Sequence, residues 1–158
     1  MSRRLSLAAL AILPAIVPGT VFAAELPSQP VLTLEAARTV LSAAEAEARR
    51  QDWHGAIAVA DAGGALIAMA RLDGAGPAAA EIAAGKARTA AMFRRPTSVF
   101  EEAINGQRPA AITAHFVMMA GGLPLVAGGQ VVGAVGVSAE TPQHDVAIAE
   151  AGRAALPH

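Results

Sequence analysis

Asp61-Ala62-Gly63-Gly64 sits between two apolar runs, Gly55–Ala60 and Ala65–Ala70, and this arrangement constrains the fold more than any other feature of the chain. Glycine reaches the positive φ of a tight reversal without steric cost, so the unit reads as a β-hairpin. Gly128-Gly129 plays the same part between Leu123–Ala127 and Val131–Ser138. Two hairpins commit the chain to antiparallel pairing, because a parallel pair would need a long crossover between its strands. A third extended stretch, Thr113–Met119, alternates, with Thr113, His115, Val117 and Met119 on one face and Ala114, Phe116 and Met118 on the other. Five strands are therefore expected. Pro124 belongs at a strand start or on an edge, where its missing donor does no harm.

Helices flank these strands. Leu34, Ala37, Leu41, Ala44 and Ala48 recur at helical spacing behind Thr33 as N-cap, with Glu35 in the first turn and Arg49 and Arg50 in the last. Pro77 opens an Ala-rich helix over about Ala78–Phe93, stopped by Pro96. Gly85 inside it costs ~1 kcal/mol against alanine, and close approach of another backbone is the expected compensation. Ser98-Val99-Phe100-Glu101 has capping-box spacing for a short helix ending near Asn105-Gly106, and a last helix is expected over about Asp145–Leu156. The order α-β-β-α-α-β-β-β-α lacks βαβ alternation and predicts an α+β fold: an antiparallel sheet with helices packed on it.

Composition narrows the function classes. The chain has no cysteine, which excludes disulfides, thiolate nucleophiles and iron–sulfur ligation. A formal net charge of −1 argues against a nucleic-acid partner held by counterion release. One Trp, four Phe and no Tyr leave packing to small side chains, so elements must approach closely to reach native density. Such a domain gains from burial between subunits, and a homo-oligomer is expected. At the N-terminus, Arg3 and Arg4 precede the apolar stretch Leu5–Val17, the breaker Pro18-Gly19, and small residues through Ala24. This is a signal-peptide pattern over residues 1 to about 24, leaving one domain over 25–158 in the periplasm or secreted. After cleavage no integral membrane segment is expected.

Several segments in order carry a resemblance: Leu32–Arg38, Ala58–Gly64, Ala68–Gly74, Lys86–Ala91, Gly121-Gly122-Leu123-Pro124-Leu125 and Val132–Ser138. Together they resemble the GlcG/HbpS family, also seen as the C-terminal domain of PduO-type proteins, over essentially the whole mature chain. The resemblance implies a profilin-like core with a five-stranded antiparallel sheet, homo-oligomers (octamers in some members) and, for several members, haem binding. The histidine proposed as haem ligand in relatives lies near the N-terminal helix; here no histidine precedes His54. The loop Ala139–Asp145 also departs from the family pattern, with Pro142 and His144 in it.

Haem iron takes His, Met, Tyr or Cys as axial donor, and two of those four types are absent. His54, beside Trp53, and His115, on the face shared with Val117 and Met119, are the candidate cofactor and metal ligands. For each, a histidine satisfied by a hydrogen bond is the more common reading. Lys86 and Arg88 are the candidate partners for an anionic ligand such as a propionate. Arg94 and Arg95 read as cations complementing a helix C-terminus, Asp61 and Asp73 as turn residues, and Met118 and Met119 as core filler. No catalytic residues are assigned. The leading expectation is an exported, non-catalytic haem- or tetrapyrrole-binding protein. An oligomeric small-molecule or partner-docking module without haem, or an enzyme acting on a small organic acid, are the alternatives. Lys86 meeting a carboxylate in a pocket is what an enzyme would require.

Overall fold

The computed structural model describes residues 28–157, so the expected signal peptide lies outside the described residues, as does His158. The elements in chain order are α1 (Leu34–Arg50), β1 (Ala56–Asp61), β2 (Leu66–Arg71), α2 (Ala79–Phe93), α3 (Ser98–Asn105), a 3-10 turn (Pro109–Ala114), β3 (Gly122–Ala127), β4 (Gln130–Ser138) and α4 (Pro142–Ala154). The four strands form one antiparallel sheet in the order β2-β1-β4-β3. Both expected hairpins are present. Asp61 closes the first by accepting from the Gly63 and Ala65 N–H groups, the turn role expected of it. Among the described residues no helix is long and apolar enough to cross a membrane.

The sheet divides large side chains from small. In β1, Ile57 and Val59 join Val135 and Val137 of β4 and Leu123 and Leu125 of β3 in a core shared with α1 and α4. Ala56, Ala58 and Ala60 point the other way and meet Ala79, Ala83 and Ala87 of α2. A face of alanines leaves no room for a thick side-chain layer, so α2 lies close on the strands. At Gly136 a Cβ would collide with the Ala83 carbonyl oxygen and the Ala87 amide nitrogen. The close backbone approach expected at Gly85 is thus found at Gly136, while Gly85 receives the side chain of Val117.

The fifth strand does not form. Residues 109–114 make a 3-10 turn, His115 follows at φ 58°, and no ladder bonds tie this stretch to the sheet. Two physical reasons apply. Pro109 and three alanines favour a tight turn over extended backbone, and β3, the neighbouring edge, carries Pro124, which has no N–H to offer a further strand. The expected capping box also fails. Thr97, not Ser98, precedes α3, with no side-chain cap bond, and the Glu101 carboxylate accepts from the Ala120 N–H (3.0 Å) instead. The last helix starts earlier than expected: Thr141 caps it through the His144 N–H, with Pro142 at its first position.

Both long helices end in left-handed closures without glycine. Asp52 (φ 57°) follows α1, and Arg94 (φ 55°) follows α2, where the Arg94 and Arg95 N–H groups return to the Ala91 and Ala90 carbonyls. Arg94 therefore holds a backbone position that L-residues disfavour, rather than simply complementing the helix dipole. Arg94→Gly is expected to stabilise the fold by ~1 kcal/mol, raising Tm by about 3 °C. Thermal unfolding followed by circular dichroism checks this, and an unchanged or lower Tm would contradict it.

Candidate functional site

Between α3 and the irregular stretch before β3 lies a cavity of about 280 Å³, lined by Glu101, Ile104, Asn105, Ile112 and residues 116–119. Three of the chain's four phenylalanines gather at its side. The Phe93 ring meets Phe100 and Phe116, each with centroids 4.9 Å apart, and the Arg88 guanidinium lies 5.8 Å from the Phe116 centroid. That is cation–π distance. Phe93, Val99, Ile112 and Met119 each keep about 40% or more of their surface exposed. An apolar patch of this kind, rimmed by a cation, has the character of a ligand-binding groove.

Two of the four residues singled out from sequence lie next to Phe116, though neither lines the cavity. Arg88 faces Phe116, and His115 precedes Phe116 as an exposed residue at the outer end of the turn. His54 does not join them. It stands before β1, its ring against Gly74, whereas the Arg88 stem packs on Gly64 in the hairpin turn beyond β1. A six-residue strand separates those two ends, about 20 Å at ~3.3 Å per residue. His54 and Arg88 therefore lie toward opposite ends of β1. Among the described residues no group of three or more His, Cys, Asp or Glu is placed to hold a metal ion.

His54 instead belongs to a second cluster. Its backbone N–H donates to Glu140 Oε1 (2.6 Å), and Glu140 Oε2 meets His144 Nδ1 at 3.1 Å. The His144 imidazole stacks on Trp53 at 3.9 Å with planes 10° apart. One face of Trp53 is thus covered by His144. Burial pushes the Glu140 carboxyl up, but the bonds from the His54 N–H and from His144 outweigh it and hold the group below its usual range. A cavity of about 340 Å³ adjoins this cluster, lined by both signs of charge: Glu45, Asp52 and Asp73 with Arg49 and Arg71.

Lys86 is in neither cavity. It is buried (2% exposed) and its Nζ lies 2.6 Å from Asp145 Oδ2, while Asp145 Oδ1 accepts from the Ala139 N–H. Gly121 makes the room, since a Cβ there would lie 2.6 Å from the Asp145 Cβ. A lysine and a carboxylate do converge, but as a closed pair with side chains 3% and 7% exposed. Asp145 escaped the sequence reading because an acid in a helix's first turn is ordinary. Only its burial sets it apart.

A family model described as "Haem degrading protein HbpS-like" matches residues 32–154. The chain belongs to the HbpS-like family. Protein GlcG of Escherichia coli (strain K12) is 45% identical over 109 residues, covering 68% of this chain and 81% of GlcG. A crystal structure of a double mutant of Streptomyces reticuli HbpS superposes with a TM-score of 0.79 at 35% identity, covering 92% of this chain and all of that one. A PduOC:Heme complex shares the fold, with a TM-score of 0.72 at 23% identity over 80% of this chain and 95% of its own. This HbpS-like chain thus has a mixed α/β fold, a four-stranded antiparallel sheet flanked by helices, that superposes on HbpS.

Proposed function

We propose that this protein is an exported haem- or tetrapyrrole-binding member of the HbpS-like family, holding the ring in the apolar cleft beside α3. The observation that carries the reading is the cleft itself: Ile104, Ile112, Phe116 and Met119 along its walls, with the Arg88 guanidinium over Phe116. The apolar walls suit part of the group. Aliphatic and aromatic walls suit the macrocycle, Arg88 suits a propionate, and a thioether and an imidazole lie at or beside the cleft as iron donors. The family description, which names haem, supports the same ligand.

The residues bind and orient; bound haem would supply an iron centre and visible absorption. The cleft, at about 280 Å³, falls just under the ~300–1,000 Å³ of pockets that enclose a ligand. One protomer thus covers part of the ring, and a second copy in a homo-oligomer covers the rest. Holding without turnover is the reading adopted, since Lys86 and Asp145 are closed on each other. The signal-like N-terminus supports a periplasmic or secreted location.

Titrating the mature protein with haemin is expected to produce a shifted, saturable Soret band. Arg88→Ala is expected to weaken binding about 10-fold, as loss of one charge-assisted contact implies. An unchanged spectrum at micromolar haemin would sink the proposal. Because the family description names degradation, the loaded protein should also be followed with an added reductant. A persistent Soret band fits holding, and a steady loss of it fits degradation.

A further inference from the structure

Only part of the charge around the cavity at the C-terminal end of α1 is neutralised within the chain. Glu45 and Arg49, four residues apart on α1, close on each other at 2.7 Å. Asp52, Arg71 and Asp73 line the same cavity and form no ion pair among the described residues. They come from separate places: Asp52 from the left-handed turn after α1, Arg71 from the end of β2 and Asp73 from the loop beyond it. The Leu72 N–H donates to the Gly55 carbonyl and ties that loop against the chain leaving α1. Two acids and one cation thus line about 340 Å³, within the ~300–1,000 Å³ of pockets that enclose a small ligand. The walls are braced. Trp53 forms one of them, its indole held by the His144 ring stacked at 3.9 Å, which is itself bonded to Glu140. The His54 ring forms another and rests on Gly74, where a Cβ would come within 3.1 Å of its Cγ.

We infer that this cavity binds a small molecule with two cationic groups and one carboxylate, the charge pattern of a basic amino acid. The carboxylate meets Arg71, the two cationic groups meet Asp52 and Asp73, and the methylene chain lies against Trp53. Each ligand charge then has one counter-charge, and the closed Glu45–Arg49 pair stays intact. The partial negative charge at the C-terminal end of α1 favours the cationic end of such a ligand further. The cavity shares no lining residue with the cleft beside α3, so this site stands apart from the tetrapyrrole reading.

Trp53 is the chain's one tryptophan, so intrinsic fluorescence reports from the wall of this cavity. The test titrates the full mature protein with L-lysine, with cadaverine, which lacks the carboxylate, and with norleucine, which lacks the terminal ammonium. Isothermal calorimetry is the second readout. L-lysine is expected to give a saturable change with a Kd on the order of 0.1 mM, as a ligand of its size permits. The other two are expected to bind about 10-fold more weakly, as loss of one charge-assisted contact implies. Arg71→Ala is expected to weaken lysine about 10-fold and leave cadaverine unchanged, whereas Asp73→Asn is expected to weaken both. Both side chains are exposed, so both variants are expected to fold. Arg50→Ala removes the same charge from a residue outside the lining and is expected to leave lysine affinity unchanged. Cadaverine or norleucine binding as tightly as lysine overturns the three-charge assignment. Equal losses in Arg50→Ala and Arg71→Ala overturn the site in favour of general surface attraction. No signal in either readout up to ~10 mM lysine, about 100-fold above the expected Kd, overturns it outright.

Discussion

Lys86→Met is expected to cost about 3–5 kcal/mol of stability, the range for breaking a buried ion pair by removing one partner. The loss is not the energy of the 2.6 Å contact itself. It is the cost of leaving the Asp145 carboxylate buried with only the Ala139 N–H to solvate it. The pair also has a particular place. Lys86 comes from α2 on the alanine face of the sheet, and Asp145 from the first turn of α4 on the opposite face. It therefore clips the two helical layers together around the start of β3. Replacing both partners with apolar residues, as in Lys86→Met with Asp145→Leu, is expected to recover much of the loss, because no orphaned charge then remains. Urea unfolding of the two single variants and the double variant measures the coupling directly. A Lys86→Met variant within about 1 kcal/mol of wild type would mean that the carboxylate finds other solvation, and the clip would lose its structural standing.

That burial was not legible in the sequence, and the reason is physical. Lys86 in an Ala-rich helix and Asp145 in a helix's first turn are each unremarkable alone, and 59 residues separate them. Local pattern reports which face of an element is apolar; it does not report which two elements meet at a sheet's end. Where the signal is local, the reading held: α1 with its Thr33 cap, both hairpins and the Asp61 turn all appear as expected. Where alternation alone was the warrant, it failed. Thr113–Met119 alternates because its residues face different neighbours (the Gly85 notch, the Phe93 ring, the cleft), not because it pairs with a strand. The same stretch holds much of the candidate cleft. Arg88 stands beside the cleft over Phe116, and His54 lies against Gly74, a separation that residue types alone do not report.

Gly136→Ala is expected to destabilise by about 2–3 kcal/mol, and Gly136→Val to prevent folding, because the added atoms meet backbone rather than a side chain that can swing away. Gly136 pairs with Ala58 on one side and Gly122 on the other, in the middle of the sheet, with the Ala83 carbonyl and Ala87 amide directly above. No rotamer relieves that contact, so α2 must lift as a unit. Gly76→Ala supplies the control, since nothing lies within 4 Å of a Cβ there; it is expected to change stability by less than about 1 kcal/mol. The comparison separates the cost of close packing from the generic effect of removing a glycine. Should Gly136→Ala match Gly76→Ala in urea unfolding, the small-residue face would not be setting the height of α2. The consequence reaches the cleft. Gly85, which receives Val117, and Arg88, which covers Phe116, ride on the same helix. A lifted α2 withdraws the notch and the cation together. Haemin affinity is therefore expected to fall in Gly136→Ala even at temperatures where the variant remains folded, and a wild-type affinity there would show that the cleft does not depend on the close seat of α2.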